Sequence, residues 1–199
     1  MMQAQLVVAI LLGLTGCVAG VASAPPDGTV TEGQPTLPAG YPAKIGDMAS
    51  DQNGQTQAWE TYDYSVGTLD AAVQVERFNG ETRFSMMAEL PGHPERNAPA
   101  VFIRGGMPGA ARAGTLTTPV VEIVTDHKFA GARLSSIGSE TTVVLDSLTP
   151  VGPDGGYGHV TGHFGAMLCA AVAEPARINR KACQTFTGTF STDFQSSGS

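Results

Sequence analysis

The sequence predicts an all-β domain, an antiparallel β-sandwich, with a small antiparallel β-barrel as the alternative. Three observations lead there. Gly (25) and Pro (13) are abundant in the 199 residues, which favours turns and strands over long helices. Short alternating segments rich in Val, Thr and Phe recur along the second half of the chain, divided by Gly and Pro. Asn79-Gly80 sits between two such segments, the strongest short-range hairpin signal there is.

The elements follow in order. Glu60-Thr61-Tyr62-Asp63-Tyr64-Ser65-Val66 alternates, with Tyr62, Tyr64 and Val66 on one face. Ala71 to Phe78 and Thr82 to Leu90 flank Asn79-Gly80. A two-residue turn fixes their register: Val75 falls opposite Phe84 and Val73 opposite Met86, while Glu76 meets Arg83 on the other face. Apolar with apolar and charge with countercharge is an internal check on that register. Further strands are expected at Ala100 to Arg104, Thr117 to Thr125, Lys128 to Leu134 and Thr141 to Leu148. No window before residue 170 reads as a capped helix. Ala170 to Arg180 has room for one helical turn, limited by Pro175.

The last pair of strands carries an echo: Val160-Thr161-Gly162-His163-Phe164 and Phe186-Thr187-Gly188-Thr189-Phe190. An antiparallel hairpin with Cys169 opposite Cys183 puts Val160, Phe164 and Leu168 on one face with Phe186, Phe190 and Phe194. The cysteines fall on the other face with Thr161, His163, Thr185, Thr187 and Thr189. Opposed Cα atoms in such a pair lie about 4.5–5.5 Å apart, within disulfide reach. A Cys169–Cys183 bond is therefore expected, two reduced cysteines being the alternative.

The N-terminal part is different in kind. Leu6 to Leu14 is an unbroken apolar run, shorter than the ~20 residues that span a bilayer and of the length of a signal-peptide core. It leads into Leu14-Thr15-Gly16-Cys17, which resembles the lipobox of bacterial lipoproteins. The resemblance implies a signal peptide of residues 1–16, cleavage before Cys17, and diacylglycerol on the Cys17 sulfur. Val18 rather than Asp then resembles lipoproteins sorted to the outer membrane of Gram-negative bacteria. Two alternatives stay open: ordinary secretion with cleavage after Ala22-Ser23-Ala24, which Pro25 disfavours, and an uncleaved anchor. From residue 17 to Ala58 the chain reads as a lipidated N-terminus and a flexible tether. Val18 to Ala58 holds six Gly and five Pro and no period-2 or period-3.6 pattern. Such a coil reaches about 35 Å root-mean-square. The β-domain is expected over residues 59–195 and a disordered tail over 196–199.

Chemistry is sparse. Eighteen acidic against 11 basic side chains give a net charge of −7, which argues against nucleic-acid binding. His159 and His163 have metal-ligand spacing on a helix, but on a strand they stand about 13 Å apart, too far for one ion. His159 opposite Asp193 reads as a surface pair. Asp51-Gln52-Asn53-Gly54 resembles part of a calcium loop, but Ala49 occupies the first ligand position. No phosphate loop, dinucleotide fold or nucleophile elbow is present. No cofactor, metal or catalytic residue is expected. The sequence thus reads as an exported, lipid-anchored envelope protein, a non-catalytic binding or structural module, partnered by the membrane and by an envelope protein or small apolar ligand. A barrel holding an apolar ligand among Phe84, Phe164 and Phe190 is one rival. A hydrolase with a dispersed site using His93 or His127, the latter beside Asp126, is the other.

Overall fold

The computed structural model describes residues 42–64, 72–92, 99–125, 133–151, 156–172 and 177–197. Among them every regular element is a β-strand: β1 (Ala43–Gln52), β2 (Gln55–Asp63), β3 (Val73–Phe78), β4 (Glu81–Glu89), β5 (Ala100–Pro108), β6 (Gly114–Thr115), β7 (Thr117–Val124), β8 (Arg133–Ser135), β9 (Thr141–Val151), β10 (Tyr157–Val172) and β11 (Arg177–Ser197). The all-β expectation holds.

The strands form one hydrogen-bonded ladder in the order β2-β1-β11-β3-β4-β5-β7-β8-β10-β9-β6. Two further pairings bend that ladder back on itself, β2 with β4 and β10 with β11. The path β11-β3-β4-β5-β7-β8-β10-β11 is therefore a closed ring. Every strand of that path has a hydrogen-bonded neighbour on both sides, so none of them is an edge strand. The seam is parallel: Gln195, Ser196 and Ser197 of β11 lie beside Gln74, Val75 and Glu76 of β3. The sequence reading expected antiparallel neighbours only and a tail from residue 196. Ser196 and Ser197 instead close the ring.

Both predicted registers are found. Val73 faces Met86, Val75 faces Phe84 and Glu76 faces Arg83. The turn takes the positive φ angles of a primed hairpin, 51° at Asn79 and 80° at Gly80. Cys169 faces Cys183, and the pairing runs unbroken from there to Tyr157 opposite Gln195. The helical turn for which Ala170 to Arg180 has room is not found among the described residues: β10 continues to Val172 and β11 resumes at Arg177.

One boundary is corrected. Residues 43–58, assigned to the tether by composition, form β1 and the first part of β2. The turn between them is Asn53-Gly54, with φ angles of 52° and 83°, a second copy of the hairpin turn at Asn79-Gly80. Asp51 belongs to that turn, its carboxylate accepting from the Gly54 N–H at 2.8 Å.

The core gathers inward side chains from around the ring. Phe84, Val101, Ile103, Val121, Val143, Val160, Phe186 and Phe190 are all at most 3% exposed. Phe84 of β4 stacks on Phe190 of β11 with centroids 5.9 Å apart, and Phe164 meets Phe186 at 5.2 Å. Each such ring contributes ~1.5–3 kcal/mol by leaving water.

Candidate functional site

Cys17 and the Leu14-Thr15-Gly16-Cys17 motif lie outside the described residues, as do His93, Asp126 and His127. Cys169 and Cys183 are bonded to each other. The bond sits where three strands meet, because Cys169 also pairs with Ser135 of β8. Cys169 is 1% exposed, and the Ser139 hydroxyl lies 3.5 Å from its sulfur. Beyond it the β10–β11 register shifts, Ala170 facing Asn179. The staple therefore holds the long hairpin at the point where its pairing changes.

The alternation that buries the phenylalanines puts a polar face outward. On β11 this face carries Thr185, Thr187, Thr189, Ser191 and Asp193; on β10 it carries His159, Thr161 and His163. His159 lies opposite Asp193, as the register requires, with Nδ1 2.7 Å from the carboxylate. Its Nε2 is 3.0 Å from the Ser191 hydroxyl. His163 Nδ1 is 3.0 Å from the carboxylate of Asp146. Asp146 arrives by a β-bulge: Thr161 pairs with Ser147 and Gly162 with Leu145, leaving Asp146 as the extra residue. The two histidines share one strand, yet each engages a carboxylate on a different neighbour. Sequence reasoning found the His159–Asp193 pair from register. It missed Ser191, although the same register makes it a diagonal neighbour of His159. It missed Asp146 because no pattern announces a one-residue bulge.

Beside this face lies a trough of about 420 Å³, lined by Ala49, Asp51, Thr56, Ala58, Thr187 and Thr189 among others. Its lining comes from β1, β2 and β11. The trough is outside the ring. Phe84, Phe164 and Phe190, suggested as walls of an apolar cavity, are 2–3% exposed and pack on other rings.

A second polar cluster lies on β2. Tyr62 and Lys44 both donate to the Glu60 carboxylate, as does the Gly92 N–H at 3.0 Å. Burial alone would raise the Glu60 pKa. The bonds from Tyr62, Lys44 and Gly92, with the nearby Lys44 charge, outweigh it and hold the carboxyl below its ordinary value. Burial and the bond to Glu60 push the Tyr62 phenol well above its ordinary value. Lys44 is raised: the Asp47 and Glu60 carboxylates overcome its own desolvation. Next to this, Tyr64 donates to the buried Glu89. These groups replace water around the partly buried Glu60 and the fully buried Glu89.

No protein-family model, no curated protein and no solved structure matches the chain.

Proposed function

We propose that the protein is a lipid-anchored component of a bacterial cell envelope, its β-domain serving as a binding or structural module. The observation that carries the reading is Leu14-Thr15-Gly16-Cys17 directly after the apolar run Leu6 to Leu14. A Cys169–Cys183 bond fits an oxidising, exported setting. Two or more acyl chains on Cys17 give stable attachment, at ~0.8 kcal/mol per buried methylene. With the phenylalanines packed on one another, the outer polar face and its trough are the surface offered to a partner.

The experiment is fractionation of cells expressing the full chain. The wild type should partition with membranes and into a detergent phase, with Cys17 as its modified first residue. Cys17→Ser should move to the soluble fraction. A Cys17→Ser protein that stays with the membrane, or native material that begins at Pro25, would overturn the lipid anchor.

A further inference from the structure

Ser191, His159 and Asp193 form a chain of two hydrogen bonds on the outer face of β10 and β11, 3.0 Å from hydroxyl to Nε2 and 2.7 Å from Nδ1 to carboxylate. A carboxylate can only accept, so the ring proton sits on Nδ1. In its neutral form the imidazole then presents its Nε2 lone pair to the Ser191 hydroxyl, which donates. The three groups thus hold the roles of nucleophile, base and orienting acid partner. Their placement comes from the ladder. His159 and Asp193 are directly opposed, and Ser191 is two residues before Asp193 on the same face. At Ser191, β11 is paired on both sides, with Asp47 of β1 and Thr161 of β10. The constellation therefore stands on rigid backbone rather than on a loop.

We propose that Ser191 is a nucleophilic hydroxyl that accepts acyl groups from activated carboxylic esters reaching this face. Ser191 Oγ attacks the ester carbonyl carbon while its proton passes to His159 Nε2. The imidazolium is held by Asp193. The carbon–oxygen bond to the leaving alcohol breaks, and that oxygen takes the proton from Nε2, leaving acyl-Ser191. Water entering by the same route, its proton passing through Nε2 to Oγ, releases the carboxylic acid and restores the serine. Because both edges of β11 are engaged at Ser191, its own N–H is not free to steady the oxyanion. The acceleration is that of a positioned base, about 10²–10⁴-fold, without the further gain of an oxyanion hole. The open face suits bulky or polymer-borne acyl donors. This inference goes beyond the anchored-module reading and does not depend on it.

The molecule supplies its own control. His163 with Asp146 is a second His–carboxylate pair on the same face, and among the described residues no hydroxyl bonds its Nε2. The test is incubation of the full chain with p-nitrophenyl acetate, followed by peptide mass mapping and the rate of acetyl incorporation at each residue. Acetyl is expected on Ser191. His159→Gln and Asp193→Asn should each slow it about tenfold or more, and His163→Gln should leave it unchanged. Folding of each variant is checked by its thermal midpoint. Absence of acetyl from Ser191 in wild-type samples acid-quenched while p-nitrophenol is being released overturns the proposal by itself. So does a folded His159→Gln protein acylated at the wild-type rate, or an equal loss in His163→Gln.

Discussion

A half-buried carboxylate persists only where donors replace the water it has lost, and Glu60 is the case in this protein. Tyr62, Lys44 and Gly92 supply those donors. Since the folded pKa of Glu60 is held below its unfolded value, its contribution to stability is full above the ordinary carboxylate range. It falls away as pH drops through the folded pKa. Stability measured by urea midpoint should therefore decline on acidification, and Glu60→Gln should flatten that decline. Tyr62→Phe removes one donor and should cost about 1–3 kcal/mol at neutral pH, because part of the carboxylate is left unsatisfied. An unchanged midpoint in Tyr62→Phe would show that solvent takes over the role. None of this cluster was legible in the sequence. Lys44 lay in the supposed tether, and Gly92 reaches Glu60 only because β2 and β4 meet at Glu60 and Glu89.

Within the β10–β11 hairpin, glycine faces phenylalanine three times: Gly158 with Phe194, Gly162 with Phe190, and Gly188 with Phe164. The rings lie over the glycines. A Cβ at Gly162 would stand 2.4 Å from the Phe190 ring, and one at Gly188 would stand 2.4 Å from the Ala49 carbonyl and 2.6 Å from the Phe164 ring. Gly162→Ala and Gly188→Ala should each lower stability by about 1–3 kcal/mol through overpacking. Gly165→Ala, whose new Cβ meets nothing closer than 3.9 Å, is the control and should shift the midpoint little. Thermal unfolding of the three variants decides it.

The repeated Thr-Gly-x-Phe signal and Cys169 and Cys183 made this hairpin readable, as Asn79-Gly80 made β3–β4 readable. The β1–β2 hairpin has the same turn dipeptide but was missed. Around the buried Met48 and Trp59, several of its inward positions are small or polar for local reasons. Gly46 lies against Thr192, Ser50 accepts from the Trp59 indole at 2.8 Å, and Thr61 shares a hydroxyl bond of 2.7 Å with Thr192. Satisfied polar groups inside a sheet erase the apolar alternation by which a strand is recognised.

At the scale of the whole molecule, the Cys169–Cys183 bond acts mainly on the unfolded chain, whose freedom it restricts across a separation of 14 residues. Removing it with Cys169→Ser/Cys183→Ser, or reducing it in the wild type, should cost about 3 kcal/mol. Equal urea midpoints with and without reductant would contradict this. The parallel seam that closes the ring was not legible in the sequence, because it depends on where two distant strands end.

That seam also orders events in time. Strand β11 bonds to β1, β3 and β10, so the ladder cannot complete before residues 195–197 reach β3. Contacts between such distant parts of a chain form slowly. Until β11 arrives, β1, β3 and β10 each keep a bare edge, and its docking satisfies all three at once.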